Sequence, residues 1–480
     1  MRSAHRVETV RTAERTLMAQ LPDGALMQRA AAGLAAACAD ALPRRVYGSR
    51  VVLLTGSGDN GGDTLYAGAR LAKRGAGVTA VLLTPDRTHP AALKSLLRAG
   101  GTTATPATAA ALIHHADLVL DGIVGIGGKG GLRPEAALLA ALVSASPATV
   151  IAVDLPSGVE PDTGEVHGAA VRADLTVTFG THKPGLLIDP ARAYAGSVRL
   201  IDIGLASTLP ATPALESLQH ADVAALLPHP SRESDKYRRG VVGIAAGSTR
   251  YPGAAVLAVA GALRGGAGAV RYVGAATDAV LARFPETLVS DTGPKKAGRV
   301  QAWVAGPGAG DDPAPVAEAL STDVPVLLDA DGLRLADRET VRTRTAPTLL
   351  TPHAGEAAAL LGVSREEVEA SRLTAVRDLA RAFDATVLLK GSTTLIAAPD
   401  PDTPVRVNAT GTPWLATAGS GDVLSGLAGS LLAAGLSPLD AASVAAYVHG
   451  LAGRYAADGA PAGAHDVAEA IPAAWRDITA

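Results

Sequence analysis

Thr417-Ala418-Gly419-Ser420-Gly421-Asp422-Val423-Leu424-Ser425-Gly426 opens a segment rich in small residues, and its reading decides the fold of the C-terminal half. Glycines on either side of Ser420 leave backbone N–H groups unshielded where a helix begins, and the helix dipole favours an anion there. An acid beside such a hole is unwelcome near phosphate unless it has a task. Asp422 is placed to take the proton from a hydroxyl that attacks a γ-phosphoryl group. A plain N-terminal helix cap is the alternative for this residue.

Companion segments lie upstream. Lys390-Gly391-Ser392-Thr393-Thr394 follows the apolar run Thr386 to Leu389 and offers an ammonium, a glycine turn and hydroxyls to nucleotide phosphates. Asp329-Ala330-Asp331-Gly332, Gly306-Pro307-Gly308-Ala309-Gly310 and Thr351-Pro352-His353-Ala354-Gly355-Glu356 end three more apolar runs. The strands expected here are Val241 to Ala245, Ala269 to Val273, Ala302 to Ala305, Val326 to Leu328, Thr348 to Leu350 and Thr386 to Leu389, alternating with helical stretches. Asp329 and Asp331 read as turn-shaping residues, and His449 as a helix-packing one. For Lys390 the bland alternative is a surface ion pair, and for His353 a buried, satisfied histidine.

The glycine-serine-glycine-aspartate motif with these companions resembles the ribokinase-like α/β fold. Related vitamin kinases carry Asn-x-x-Glu where this chain has His353 to Glu356. That change, with Gly247-Ser248-Thr249-Arg250-Tyr251-Pro252-Gly253-Ala254-Ala255 and Ala262-Leu263-Arg264-Gly265-Gly266-Ala267-Gly268, resembles the NAD(P)H-hydrate dehydratase family from about Asp222 to Ala470. The resemblance implies removal of water from the S form of the hydrated coenzyme, with ADP or ATP as co-substrate and magnesium at the site. It implies that Ala254, Gly308, His353 and Asp422 contact the hydrate. Lys390, Gly391, Ser392, Thr393, Thr394 and Gly421 would contact the nucleotide, and Glu356 the magnesium.

A second glycine turn stands near the other end of the chain. Gly56-Ser57-Gly58-Asp59-Asn60-Gly61-Gly62-Asp63 follows the run Val51 to Leu54 and precedes a helix, so its amides can meet a phosphate. An ordinary dinucleotide fingerprint also expects an acid at the end of the next strand, and Val78 to Thr84 ends without one. Polar residues packed between the glycines point instead to ribose or cation contacts. Asp121 in Asp121-Gly122-Ile123-Val124-Gly125-Ile126-Gly127, Asp154 in Asp154-Leu155-Pro156-Ser157-Gly158, and Lys183 end three further runs and join the same rim. Asp117 and Asp121 with His114 and His115 invite a metal reading, but a solvated helix end accounts for the histidines.

This half resembles the NAD(P)H-hydrate epimerase family from about Val7 to Gly204. The resemblance implies that Asn60, Asp121 and Ser157 hold a potassium ion. It also implies that Asp59, Asn60, Gly61, Gly62 and Asp63, with Gly125, Ile126, Gly127, Gly128, Lys129, Gly130 and Gly131, hold the hydrate's phosphates and ribose, while Asp154 sits at the reacting ring. A carboxylate there can shuttle a proton to the C6 hydroxyl, with Lys183 second in line. The chain departs from the family pattern at Asp59, where Asn is usual, and at Thr64, where Gly is usual.

The rest of the chain agrees with two fused enzymes. At 480 residues it exceeds one core's usual span. Residues 1–208 are expected as an epimerase domain, a Rossmann-like three-layer sandwich. Residues 209–221, a Pro/Thr/Ala segment, are expected as linker, and 222–480 as the ribokinase-like domain. Residues 7–42 carry helical spacing broken at Pro22-Asp23-Gly24, with Glu8, Arg11, Glu14 and Arg15 giving a charged pattern unlike a secretory signal. Hydrophobic residues make up 48% and charged ones 19%, a balance suited to compact α/β packing. A net charge of -3 offers no field for nucleic acid, and no apolar run is long enough for a membrane. The single cysteine, Cys38, fits a reducing, cytoplasmic setting. Small-molecule substrates, NADH hydrate and NADPH hydrate, and a homo-oligomer, taken as a homotetramer, complete the expected partners. The competing readings are a small-molecule kinase in the C-terminal half and a non-catalytic nucleotide-binding module in the N-terminal half.

Overall fold

The computed structural model describes residues 1–42, 45–128 and 130–480. Its packing divides the chain into two units, Ser3–Ala214 and Leu215–Ala480 with Met1–Arg2.

In the N-terminal unit seven strands lie parallel in the order Thr102–Ala104, Gly77–Leu82, Arg50–Thr55, Leu118–Gly122, Thr149–Val153, Leu175–Phe179, Ser197–Ile201. Side chains alternate across a strand, so the apolar run at 51–54 serves both faces. Val51 and Leu53 pack with Leu34, Leu65 and Leu96, from helices Ala25–Ala41, Asp59–Lys73 and Pro90–Arg98. Val52 and Leu54 pack with Ile113, Leu139 and Val143, from helices Ala109–His114 and Pro134–Ser144. The result is the three-layer sandwich, with strand order reversing between Arg50–Thr55 and Leu118–Gly122. Loops leaving the carboxyl ends of those two strands bound a crevice. The two edge strands Thr102–Ala104 and Ser197–Ile201 have mostly exposed or half-exposed residues, and so present no apolar run to a sequence reading.

The C-terminal unit is built the same way around a longer sheet. Leu288–Ser290, Ala269–Val273, Val241–Ala245, Ala302–Ala305, Val326–Leu328, Thr348–Leu350 and Thr386–Leu389 run parallel in that order. Thr394–Ala397 and Val405–Asn408 then continue antiparallel. Leu215–Ser217, inside the stretch expected as linker, is a strand beside Val405–Asn408, and a Gln219–Asp222 capping box opens the helix His220–Leu226. Three residues with a single buried one, Leu215, are too short to show a period. The small residues of the glycine motif let helices meet backbone to backbone. A methyl at Gly426 would fall 1.9 Å from the carbonyl oxygen of Ala258, in the helix Pro252–Arg264. Among the described residues no helix is long and apolar enough to cross a membrane.

Candidate active sites

At the N-terminal switch point, helix Asp59–Lys73 starts directly after Gly58, placing Asn60 in its first turn. The Asn60 amide donates to the Val153 carbonyl at 2.5 Å and lies against Gly125, where a methyl group would approach its Oδ1 to 2.5 Å. Asp121, fully buried, accepts from Ser157 N at 2.7 Å, from Ser157 Oγ at 2.6 Å and from Ile123 N at 3.3 Å. Burial still pushes its carboxyl up to about 6, against the lowering effect of those bonds. Ser157 Oγ in turn accepts from Val124 N at 2.9 Å and lies 3.2 Å from the Val124 carbonyl. A carboxylate, a hydroxyl, an amide and two carbonyls thus gather, and among the described residues no cationic side chain is bonded to Asp121. That all-oxygen set fits a hard cation such as potassium.

Asp154 follows the strand Thr149–Val153 in a left-handed conformation, φ +67. For a residue with a Cβ this costs on the order of 1 kcal/mol, a strain typical of functional positions. Its Oδ1 accepts from the Lys183 ammonium, from Thr178 Oγ1 at 2.9 Å and from Phe179 N at 3.3 Å. Lys183, 1% exposed, also donates to Thr178 Oγ1 at 3.0 Å and to the Phe179 carbonyl at 3.1 Å. Oδ2 of Asp154 keeps no hydrogen-bond partner among the described residues, so one oxygen is held rigid and the other is open.

Asp63 joins this pocket in a way its loop position did not reveal. It is 7% exposed, its Oδ1 lacks a hydrogen-bond partner, and burial, then the charges of Asp154, Asp59 and Glu14, hold its carboxyl well above the usual range. Glu14 is raised as well, by burial first, while Lys183 opposes. Glu14 comes from the helix Val7–Met18, whose charge pattern reads only as unlike a secretory signal. The signal was present, because Glu14 stands on the stripe of Val7, Val10 and Leu17, all buried. Thr64 fits without disturbance: its hydroxyl donates to the Asn60 carbonyl at 2.6 Å, and Gly122 leaves room for it. Lys129 lies outside the described residues, while Gly125, Ile126, Gly127, Gly128, Gly130 and Gly131 follow Asp121 in one loop. His114 and His115 stack edge to face, and among the described residues no three His, Cys, Asp or Glu side chains could hold a metal.

The C-terminal switch point lies between Val241–Ala245 and Ala302–Ala305, and there the structure brings Ala254 and Gly308 together. A methyl at Gly308, φ +60, would lie 2.6 Å from Ala254 Cβ. His353 caps the helix Ala354–Leu361: its Nδ1 accepts from Gly355 N at 3.0 Å and Glu356 N at 3.1 Å. An accepting Nδ1 leaves the neutral ring's proton on Nε2, whose side chain is 59% exposed. Glu356 completes the capping box and lies 3.8 Å from Lys390 Nζ.

Lys390 is drawn inward by Asp329, Nζ to Oδ1 2.7 Å. Asp329, 1% exposed, also accepts from Ser425 Oγ at 2.6 Å. This corrects the turn-shaping role expected of it, since a turn alone would not bury an acid between an ammonium and the glycine helix. Asp331 does shape a turn, accepting from Gly310 N at 2.9 Å. The ammonium of Lys390 lies 3.3 Å from the Cβ position of Gly421. Asp422, in the first turn of helix Ser420–Ala433, is pushed up to about 7, by burial first and then by Asp329 and Glu356, with Lys390 opposing. Thr393 is buried and Thr394 starts a strand, so Gly391 and Ser392 are the exposed part of that loop. The loop is held from below by buried Arg372, which donates to the carbonyls of Leu389, Lys390 and Thr393 at 3.3, 3.1 and 3.0 Å. His449 is buried in the helix Pro438–Ala457, its ring lowered to about 4 by burial.

Two family models match this chain: one described as NAD(P)H-hydrate dehydratase over residues 242–473, and one described as YjeF-related protein N-terminus over residues 23–185. The bifunctional NAD(P)H-hydrate repair enzyme Nnr of Mycobacterium leprae is 51% identical over 457 residues, 94% of this chain and 93% of that protein. Its namesake from Corynebacterium glutamicum is 38% identical, covering 100% of this chain and 99% of its own length. Among solved structures, the ADP/ATP-dependent NAD(P)H-hydrate dehydratase from Bacillus subtilis co-crystallized with ATP/Mg2+ is 29% identical with a TM-score of 0.51, covering 55% of this chain and 99% of that one. Two glycine-loop sites in two separately packed units, matched end to end by such relatives, place the chain in the family of bifunctional NAD(P)H-hydrate repair enzymes.

Proposed function

We propose that the two units act in succession on one damaged coenzyme. The N-terminal unit interconverts the R and S forms of NADH hydrate and NADPH hydrate. The C-terminal unit dehydrates the S form, with ADP as the co-substrate over ATP. The observation that carries this reading is an acid set beside a lysine in each unit, Asp154 bonded to Lys183 and Asp422 in the field of Lys390.

In the epimerase, Asp154 holds and returns a proton at the C6 hydroxyl. Lys183 fixes one of its oxygens so that Oδ2 faces the substrate. Loss and return of that oxygen through the ring nitrogen's lone pair exchanges the two faces. The loops Asp59 to Asp63 and Gly125 to Gly131 hold the phosphates and ribose. Potassium, held by Asn60, Asp121 and Ser157, would tie the two loops together by neutralising the buried Asp121 carboxylate.

In the dehydratase, Asp422 takes the proton from the C6 hydroxyl as that oxygen attacks the terminal phosphoryl group of ADP, releasing AMP. The ring nitrogen then expels phosphate from C6, and loss of the C5 proton restores the ring double bond. Ala254, Gly308 and the Nε2 proton of His353 seat the hydrate. The loop Lys390 to Thr394 and the amide of Gly421 seat the nucleotide, with Lys390 balancing its charge. Magnesium would be held by the nucleotide phosphates together with Glu356, and would neutralise the charge that develops on the transferred phosphoryl group. We assign the enzyme to the cytoplasm, where its coenzymes are reduced, and its assembly to a homotetramer.

Purified enzyme given mixed R and S hydrate with ADP should restore the full absorbance of the reduced nicotinamide. Recovery of only the S share would remove the epimerase. A stable phosphorylated product without dehydration would make the C-terminal unit a kinase.

A further inference from the structure

Arg11 and Glu14 lie one turn apart on the helix Val7–Met18, the element whose buried residues are Val7, Val10, Ala13 and Leu17. Glu14 turns toward the pocket of Lys183, Asp154 and Asp59, and Arg11 is among the charges acting on it. Arg11 itself is half-buried, and among the described residues it has neither a hydrogen-bond partner nor an ion pair. Its Nη2 lies 3.2 Å from the point where a side chain at Gly127 would begin, and among the described residues, chain neighbours aside, nothing else lies within 4 Å of that point. The guanidinium therefore covers the backbone of Gly127, and any larger residue there would push it away.

The pocket's charge balance gives this cation a task. The carboxyls of Glu14, Asp59, Asp63 and Asp154 crowd a site whose substrate is itself anionic, closely enough that Glu14 and Asp63 are held toward their neutral forms, and the buried Lys183 is already bonded to Asp154. A polyanion entering such a field needs a cation that is not committed to the protein. A guanidinium presents its donors as a fork that matches phosphate oxygens, and it does so beside a glycine loop that lets a ligand approach the backbone. We propose that Arg11 is a substrate-binding residue of the epimerase, holding a phosphate of the hydrated coenzyme against the backbone at Gly127. The proposal rests on the epimerase reading of that loop.

The hydrated coenzymes carry two sources of this chemistry: the pyrophosphate common to both and the 2′-phosphate of NADPH hydrate alone. The full chain and its Arg11→Ala and Arg11→Lys variants, in potassium buffer without nucleotide, are assayed for conversion of R-NADH hydrate and R-NADPH hydrate by chromatographic separation of the two forms. A pyrophosphate contact raises KM for both substrates by on the order of tenfold in Arg11→Ala with kcat nearly unchanged, and Arg11→Lys restores part of the loss. A 2′-phosphate contact does the same for NADPH hydrate alone. Equilibrium binding of the affected hydrate to the Asp154→Asn chain should weaken by the same factor when Arg11→Ala is added. Unchanged KM and binding for both substrates, in a variant whose S-hydrate dehydration stays intact, would overturn the proposal while leaving the epimerase standing. A wild-type chain that does not interconvert the forms removes the epimerase and this proposal together.

Discussion

Asp422→Asn separates what this acid does for catalysis from what it costs the fold. The substitution keeps the shape of the side chain and removes the proton acceptor. General-base assistance contributes about 10²- to 10⁴-fold, so kcat for dehydration of the S hydrate should fall by on the order of 10³. Stability should move the other way. The carboxyl has an ordinary value of 3.8 and is pushed up to about 7 in the folded chain. Below 3.8 it is protonated in both states and costs nothing. As pH rises from there, the unfolded chain ionises freely while the folded chain keeps its proton, so stability falls until the folded carboxyl ionises near 7. Over about three pH units, at about 1.4 kcal/mol each, the loss reaches about 4 kcal/mol as an upper bound, because partial exposure screens it. The Asn variant escapes this loss. Relative to wild type, its C-terminal unfolding transition in scanning calorimetry should gain stability between pH 4 and pH 8. A constant offset across that range would refute the origin assigned to the raised carboxyl, and wild-type kcat in the variant would refute Asp422 as the base.

Asp154→Asn should collapse R-hydrate conversion by at least about a hundredfold while S-hydrate dehydration stays within about twofold, measured on the separated forms. Lys390→Met removes the charge that lowers the Asp422 carboxyl. The acid limb of the dehydration rate should therefore move to higher pH, with a higher KM for ADP. Arg372→Met strips three carbonyls of a buried donor and should destabilise the C-terminal unit by about 3 kcal/mol, while raising KM for ADP more than it lowers kcat. Replacing potassium by choline in the buffer should slow epimerisation and leave dehydration unchanged, read in one assay with and without ADP.

The local grammar of the chain was enough for the scaffold. Apart from the mostly exposed edge strand Leu288–Ser290, the strands from Val241–Ala245 to Thr386–Leu389 begin and end where the apolar runs do, since a buried parallel strand must be apolar on both faces. The helix pair Val7–Met18 and Ala25–Ala41 breaks at Pro22 to Gly24 for an equally local reason. The glycine loops and the positions of Asp121 and Asp154 at strand ends and of Asp422 at a helix start were legible too, because an acid beside glycines at an element's end is written in consecutive residues. Short exposed strands such as Thr102–Ala104 were not, having no burial to leave a pattern.

What the sequence alone could not reveal is which distant charges share a pocket. Asp329 looked like a turn residue until the packing of neighbouring strands set it under Lys390 and Ser425. Arg11 and Glu14 carried no site role in the sequence until their helix was laid against Gly127 and Lys183, more than a hundred residues further on. Propensity and periodicity are local, whereas desolvation and Coulomb interaction depend on what the fold brings within a few ångströms. The sequence by itself therefore determined the central parallel strands of the two sheets and their loops, and only the tertiary structure decided the sheet edges and the electrostatics around those loops.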